Sequence, residues 1–432
     1  MSKLNINTVI VDDSPLILTS IKLLLREIGI NDRQIYTCKS FNHALKTCEV
    51  VDVGLFICDF NLGHGLNGLR LLDELKHLNL LPGYATVIML TGEKSSPIVY
   101  SILDYQPDSY ILKPYSPKDF KTRLIKCVNF KLYLKQFYIE NHNKNYKEAI
   151  RLLDLYSEKR IDYQKQITKI KGNVLQQCNE FKLAYELYIR AIETDNEDWA
   201  KLGSINSLIS MNNIKSAEDS LHDWLGKKDQ KIPLAAFDTR IKLLLLSDEI
   251  IKAQELLETC NTLIPNNAER WLLLGHVYFS QKKYTLASNT FENYNAMVSG
   301  TFRNNFVSSY FYLRCKLILK DTNVRMLMDK FTKDNISNEK LGAEEKQYYL
   351  LLQAHNDLLT EKSESAKQRI ISIAKNYNAL SIESLIHLII LLELTGNKKE
   401  SSQIKNFALD TLKNNFPSIE SQINKNTILN FK

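Results

Sequence analysis

Apolar residues in the first 125 positions fall into two alternating patterns. Short uninterrupted apolar runs predict β-strands at residues 8–13, 34–39, 53–59, 85–91 and 109–114. Between the first two runs, apolar residues recur three or four positions apart from Ile17 to Ile28, and Gly29 follows as a helix stop. Strand and helix alternate five times, so the pattern predicts an α/β fold with a doubly wound parallel sheet.

The pattern changes near residue 118. Six of the nine prolines and seven of the fourteen glycines precede that point, and no proline occurs between Pro117 and Pro233. Such a stretch predicts long helices. A small residue recurs in them every 33 to 36 positions, at Ala149, Ala184, Ala217, Ala253 and Ala287. The rhythm weakens from 302 to 346 and returns at Ala366 and Ser401. We therefore expect seven or eight stacked helical pairs, the middle one irregular.

Composition excludes several classes of protein. A chain of 432 residues with 44% hydrophobic and 24% charged residues predicts a soluble protein with more than one core. No apolar run approaches the roughly 20 residues that span a bilayer, and the N-terminus has no signal-peptide pattern, which predicts a cytoplasmic location. The seven cysteines are scattered and predict reduced thiols. The net charge of +7 is too dilute to predict DNA binding.

Polar residues that could carry chemistry follow four of the predicted strands. They are Asp12, Asp13, Asp59, Thr91 and Lys113. Parallel strands direct their carboxyl ends to one edge of the sheet, where ligands bind. Clustered carboxylates suit Mg²⁺, beside which an ionised Asp59 could attack phosphorus. The metal and Lys113 would neutralise a transferring phosphoryl group, and Thr91 would hydrogen-bond its oxygens. One strand-terminal aspartate alone would indicate only a turn or a cap.

These residues lie in segments that resemble the receiver domain of two-component response regulators. The segments are VIVDDSP (9–15), CDFNL (58–62), MLTG (89–92) and SYILKPYSPKDF (109–120). The resemblance implies a flavodoxin-like (βα)5 fold in which Asp59 accepts phosphate from a histidine kinase or phosphotransfer protein. It further implies Mg²⁺ as cofactor, with Asp12, Asp13, Asp59 and the backbone carbonyl of Asn61 as ligands.

The resemblance also assigns a switch. Thr91 and Lys113 would be the switch threonine and lysine, and Tyr110 the aromatic residue that rotates when the threonine moves. The alternative for Tyr110 is an aromatic that covers the strand edge. One segment departs from the family. Gly63 stands where relatives usually have proline, and Asn67-Gly68 arrives one residue later than their Asp-Gly pair. A longer, less rigid loop is expected there, which puts the lifetime of the acyl phosphate in question.

The helical part resembles the tetratricopeptide repeat. Trp271, Gly275, Tyr278, Ala287 and Phe291 fit one repeat of that family. The resemblance implies a TPR-like α-solenoid whose first helices line a groove for a protein or peptide. Residue by residue, it suggests as exposed lining Lys169, Asn173, Gln176, Asn206 and His276.

Together these patterns predict a receiver domain at 1–125, a connecting helix at 126–140 and a TPR-like domain at 141–432. The predicted function is a response regulator that is phosphorylated on Asp59 and controls protein–protein interaction through its repeats. The alternative is a DNA-binding transcriptional regulator, although no helix-turn-helix pattern is found. No enzymatic output is expected, because residues 126–432 contain no catalytic constellation. Expected partners are the kinase or phosphotransfer protein, a groove ligand and a second copy of the chain; DNA and a membrane are not.

Overall fold

A computed structural model describes residues 4–63, 67–93, 95–226, 234–336, 341–360, 362–414 and 418–431. Contacts divide the chain into two compact units. The first contains residues 1–239 and 263–265, and the second contains residues 240–262 and 266–432.

The first unit begins with a five-stranded parallel sheet in the order β2-β1-β3-β4-β5. Its strands are β1 (Thr8–Val11), β2 (Ile35–Cys38), β3 (Leu55–Asp59), β4 (Thr86–Thr91) and β5 (Ser109–Leu112). The helices of this region are α1 (Pro15–Glu27), α2 (Phe41–Val50), α3 (Gly68–His77), α4 (Ser96–Asp104) and α5 (Pro117–Tyr133). Every strand lies within two residues of its predicted bounds, so the predicted parallel α/β fold is confirmed.

The sheet is covered on both faces. Every residue of β1, β3 and β4 is buried, and their side chains alternate between two separate hydrophobic clusters. Val9, Phe56 and Met89 belong to one cluster, whereas Ile10, Ile57 and Ile88 belong to the other. Burial on both faces explains why these strands are apolar without alternation.

The remaining helices follow α5 after a single non-helical residue, Leu134. They are α6 (Lys135–His142), α7 (Tyr146–Lys159), α8 (Gln164–Gln177), α9 (Phe181–Asp195), α10 (Asp198–Ser210), α11 (Ile214–Leu225), α12 (Leu234–Leu246), α13 (Ile250–Leu263), α14 (Ala268–Ser280), α15 (Tyr284–Val298), α16 (Phe306–Ile318), α17 (Val324–Ile336), α18 (Ala343–Leu358), α19 (Ser363–Ala374), α20 (Ile382–Leu394), α21 (Lys398–Lys413) and α22 (Ile419–Leu429). None of the described helices has both the length and the apolar composition needed to cross a membrane.

The backbone between paired helices repeats as regularly as the sequence does. A residue with positive φ ends the first helix of most pairs, at Lys144, Asn179, Asn212, Asp248, Lys282, Lys320 and Gly396. From α6 to α21 the described chain forms eight such pairs, with α22 left over. The stretch predicted as irregular forms the ordinary pair α16–α17. The described chain from α6 to α21 is therefore built of repeated helical pairs. Membership of the tetratricopeptide family stays a prediction.

Two glycines show why small residues recur in these helices. A Cβ atom added to Gly172 or to Gly275 would lie 2.5 Å from the ring of Tyr188 or Phe291, respectively. Each ring comes from the second helix of the same pair, so the pair can approach closely only because the first helix carries glycine.

The second unit buries a polar network between its helices. Arg314 on α16 donates to Glu383 on α20 across 2.8 Å, and both side chains are almost fully buried. Beside them, Tyr310 lies 3.1 Å from Nδ1 of His387, whose Nε2 lies 3.0 Å from Nδ1 of His355. The network joins three first helices, α16, α18 and α20, through polar groups rather than through apolar contact alone.

Candidate functional site

Two carboxylates and one ammonium group meet at the carboxyl ends of β1, β3 and β5. Lys113 Nζ lies 2.7 Å from Oδ2 of Asp12 and 2.7 Å from Oδ1 of Asp59. Asp12 and Asp59 are only 1% and 7% exposed. The parallel register of β1 with β3 brings the two aspartates, which are far apart in the sequence, to one edge.

Backbone amides fix the orientation of both carboxylates. Ser14 N donates to Oδ1 of Asp12 at 2.9 Å, and Asn61 N donates to Oδ2 of Asp59 at 3.1 Å. In each case the donor lies two residues after the aspartate, where the chain turns away from its strand. One oxygen of each carboxylate is thereby held by the backbone and the other faces Lys113.

Burial and the ammonium act against each other at Asp59. Burial raises the pKa of Asp59 and the nearby Asp12 charge adds to this, while Lys113 and the Asn61 amide act in the opposite direction. For Lys113, burial opposes the charged form, but the two carboxylates outweigh it and raise the pKa of Lys113. The surroundings therefore disfavour the ionised form of Asp59, although Lys113 lies beside it.

Two of the three predicted switch residues, Thr91 and Tyr110, occupy neighbouring strands. Thr91 is buried at the end of β4, and its Oγ1 accepts a hydrogen bond from Glu93 N at 3.0 Å. Tyr110 is half-buried on β5 and packs against the cluster that contains Ile102 of α4. Thr91 thus lies at the same edge as Asp59, whereas Tyr110 packs against a hydrophobic cluster on one face of the sheet.

The loop after β3 contains a glycine in the left-handed region of backbone conformation. Gly63 adopts φ +70°, which the proline of typical relatives could not adopt because its ring fixes φ near −65°. Its amide donates to Oδ1 of Asn61 at 3.1 Å, and a Cβ added at Gly63 would lie 3.4 Å from Oδ2 of Asp13. Glycine therefore lets this loop pass close to the exposed Asp13 carboxylate. The tip at residues 64–66 lies outside the described residues.

Gly68 is a positioning residue to which the sequence pattern gave no role. A Cβ atom at Gly68 would lie 2.2 Å from the backbone oxygen of Asp59 and 2.9 Å from Met89. Its amide donates to the carbonyl of Phe60 at 2.8 Å. Only glycine lets the start of α3 approach the phosphoacceptor candidate so closely. The Asn67-Gly68 landmark was visible in the sequence, but the close approach requires the fold.

The predicted magnesium ligands are brought together in part. Within the described ranges, no three carboxylate, imidazole or thiol groups converge closely enough to hold a metal ion. Asp12 and Asp59 nevertheless share one cation, the Lys113 ammonium, at equal distances. Because Mg²⁺ commonly uses one or two carboxylates and completes its shell with water, this hard oxygen pair fits that ion. Asp13 and the carbonyl of Asn61 stay predictions as ligands.

The residues predicted to line the repeat groove do not form one exposed surface. Lys169 and Asn173 are exposed, but Gln176 is half-buried and donates to the backbone oxygen of Gly203 at 3.1 Å, which ties α8 to α10. Asn173 accepts from the Tyr188 hydroxyl and Asn206 from the Thr239 hydroxyl.

His276 corrects the prediction of an exposed groove residue. Its ring packs edge-on against Phe291 and Phe311, and burial lowers the pKa of His276 to about 4. The tetratricopeptide pattern placed it on a first helix, but contacts with aromatic residues of α15 and α16 leave it half-buried rather than exposed.

A cavity of about 980 Å³ lies elsewhere in the first unit. It is lined by α7, α8 and α9, with Thr168 and Lys171 on α8 and Leu187 and Arg190 on α9. Helical spacing puts the α8 residues opposite Lys169 and Asn173. The cavity therefore lies on a face that the sequence pattern did not indicate.

Comparison with known protein families identifies the first part of the chain. Residues 8–125 match the family model of the response regulator receiver domain. This region is a receiver domain. The match includes all five strands and the candidate site, and it ends within α5. Comparison with curated proteins gives no match.

Three of the solved structures that are similar to the chain each cover 28–30% of it. One is the chemotaxis response regulator CheY4 of Vibrio cholerae, with 19% identity, a TM-score of 0.25 and coverage of 30% of this chain and 99% of that one. Another is the isolated receiver domain of RcsB from Salmonella enterica serovar Typhimurium, with 23% identity, a TM-score of 0.25 and coverage of 28% and 87%. A CheY-like receiver protein from Methanospirillum hungatei has 25% identity, a TM-score of 0.27 and coverage of 30% and 97%.

Proposed function

We propose that the protein is a response regulator that receives a phosphoryl group on Asp59 and controls protein–protein interaction through its helical pairs. The observation that carries the proposal is the Lys113 ammonium, 2.7 Å from both the Asp12 and the Asp59 carboxylates. The donor would be the phosphohistidine of a kinase or a phosphotransfer protein.

Phosphoryl transfer to Asp59 forms one bond and breaks another. A carboxylate oxygen of Asp59 bonds to phosphorus while the N–P bond of the phosphohistidine breaks and its electron pair returns to the imidazole. Lys113 neutralises negative charge on the phosphoryl oxygens, and the Thr91 hydroxyl turns from its present contact to donate to one of them. Mg²⁺ held by Asp12 and Asp59 would supply further charge neutralisation.

The route from the receiver to the helical pairs is short along the chain. Only Leu134 separates α5 from α6. Near this junction Lys131 donates to the Gly83 carbonyl at 3.0 Å, and Lys135 lies 4.5 Å from the centre of the Tyr84 ring. We propose that a shift of α5 after phosphorylation changes these contacts and moves α6.

The phosphorylation step is tested with a small-molecule donor. Intact-mass measurement after incubation with acetyl phosphate and Mg²⁺ should find one phosphoryl group per chain in the wild type. Asp59→Asn should gain none, and Asp219→Asn, at an exposed carboxylate on α11, should behave as the wild type. Undiminished labelling of Asp59→Asn would refute the assignment.

The output is tested by hydrogen exchange in the same samples. Phosphorylation should change the exchange of α6 and its neighbours in the wild type but not in Asp59→Asn. If exchange in all the helical pairs is the same with and without phosphate, the coupling proposed above is wrong. Salt-sensitive binding to DNA by the phosphorylated chain would instead favour a transcriptional regulator.

A further inference from the structure

The last helix folds back onto parts of the second unit that lie far away in the sequence. α22 packs against α14, α20 and α21. Gln422 Nε2 donates to the Leu246 carbonyl at 3.2 Å, and Asn430 Nδ2 donates to the Ser280 carbonyl at 2.8 Å. Asn426 Nδ2 donates to Oδ1 of Asp248 at 2.6 Å. We call the surface that receives α22 the α22 seat: α14, α20 and α21 with residues 246 and 248.

The α22 seat is built largely from first helices of pairs. α14 and α20 are first helices, and Leu246 ends another, α12. Repeat proteins of this kind use such surfaces to bind helices and extended peptides. In the second unit, part of that surface is covered by the chain's own helix.

The side chains that α22 buries are only partly apolar. Its buried face consists of Ile423, Asn424, Thr427 and Ile428, so half of it is polar. The Thr427 hydroxyl donates to the carbonyl of Ile423 in its own helix at 2.8 Å, which gives no contact across the interface. Burying amide and hydroxyl groups is less favourable than burying aliphatic ones, so a helix with aliphatic residues at these positions would pack better.

The charged residues around the α22 seat favour a helix that runs in the direction of α22. They disfavour the charge of one of its side chains, Glu420. At its N-terminal end stand Glu344 and Glu383, and at its C-terminal end Lys405 donates to the Phe431 carbonyl at 3.3 Å. Negative charge near a helix N-terminus and positive charge near its C-terminus are both favourable. Glu420, however, sits in the first turn of α22, where burial and the charges of Glu383 and Glu344 raise its pKa.

We propose that the α22 seat is a helix-binding groove for a partner protein and that α22 occupies it as a replaceable internal ligand. The partner segment is an amphipathic helix with aliphatic side chains at the positions of Asn424 and Thr427. The proposal rests on the proposed function, because it names the class of partner that the helical pairs bind.

The probe is a fluorescein-labelled peptide of residues 418–431 that carries Asn424→Leu and Thr427→Leu. Its binding to the full chain is followed by fluorescence anisotropy, with the unsubstituted peptide as reference. The substituted peptide should bind at least tenfold more tightly than the reference. Hydrogen exchange of residues 419–429 in the chain should rise on binding, because α22 leaves the seat. Bound peptide with undiminished α22 protection would overturn the proposal.

Neighbouring positions on α22 supply a matched pair of variants. Ile428→Ala removes a side chain that is 1% exposed, and Leu429→Ala removes one that is 56% exposed. Ile428→Ala should bind the peptide at least tenfold more tightly than the wild type, since the internal competitor is weakened, and Leu429→Ala should not differ. Equal affinities of the two variants would contradict displacement.

A second variant covers the case in which Ile428→Ala does not fold. The two substitutions of the peptide, introduced into the chain itself, should strengthen the internal ligand and weaken peptide binding at least tenfold. Unchanged peptide binding to that chain would refute the proposal. No phosphoryl donor is present, so failure here leaves the Asp59 labelling result standing, and failure of Asp59 labelling leaves this result standing.

Discussion

Two of the buried clusters of charged residues in the described part of the chain are built differently. In the receiver domain, two carboxylates share one ammonium at the ends of strands. In the second unit, Arg314 and Glu383 balance each other, and the adjoining His355 and His387 are held neutral because burial lowers the pKa of both. Unbalanced charge at the edge of a sheet is available to a ligand, whereas balanced charge between helices joins them. We therefore expect substitutions to separate the two clusters by the sign of their effect on stability.

The largest effect is expected from breaking the balanced cluster. Arg314→Met leaves Glu383 buried without its cation, which typically costs about 3–5 kcal/mol. Urea unfolding of the full chain, followed by circular dichroism, measures the change. As the control, Arg369→Met breaks the Arg369–Asp357 pair, in which the arginine side chain is 38% exposed, and should cost less than about 1 kcal/mol. Equal losses in the two variants would show that burial does not distinguish these pairs.

The same cluster should make the second unit sensitive to acid. Burial lowers the pKa of His355 to about 3, whereas an unfolded histidine titrates near 6.5. Its contribution to stability is therefore complete above pH 6.5 and declines as the pH falls towards 3. Between pH 6.5 and 5 the loss should be roughly 2 kcal/mol for this histidine.

Urea midpoints across that pH range measure the acid sensitivity. His355→Leu should flatten the profile, and His222→Gln should leave it unchanged, because the side chain of His222 is 88% exposed. A profile that His355→Leu does not alter would mean that other groups cause the acid sensitivity.

The smallest effect is expected at the receiver site, with the opposite sign. Burial raises the pKa of Asp59, so the ionised carboxylate destabilises the fold at neutral pH. Asp59→Asn should therefore stabilise the receiver by about 1 kcal/mol or less. This advantage should disappear below about pH 3.9, where an unfolded aspartate is also neutral.

Thermal unfolding at pH 7 and at low pH measures this difference. A lower midpoint for Asp59→Asn at pH 7 would show that the Lys113 contact outweighs the burial of the charge. In that case the two clusters would not differ in the way stated above.

The receiver region was predictable because its signals are local. An apolar run bounded by loops specifies a buried strand, and the residue at the end of each parallel strand is directed to the same edge. Asp12, Asp59 and Lys113 could therefore be grouped before their distances were known. The role of Gly68 could not, since it depends on how closely α3 approaches the Asp59 backbone.

The period of the helical pairs was predictable from the sequence, but the residues that they expose were not. The spacing of alanine and glycine reflects close contacts within one pair, such as those of Gly172 with Tyr188 and of Gly275 with Phe291. Which face of a first helix stays exposed depends on the surrounding helices, so His276 is half-buried against Phe291 and Phe311 although its position in the repeat suggested an exposed groove.

The sequence by itself determined the order of elements, the parallel sheet, the residues at its carboxyl edge and the period of the helices, because each is encoded in neighbouring residues. Only the tertiary structure decided that Arg314 meets Glu383 and that α22 returns to α14. Those contacts join residues that are 69 or more than a hundred positions apart, and they follow from how the pairs stack rather than from any local pattern.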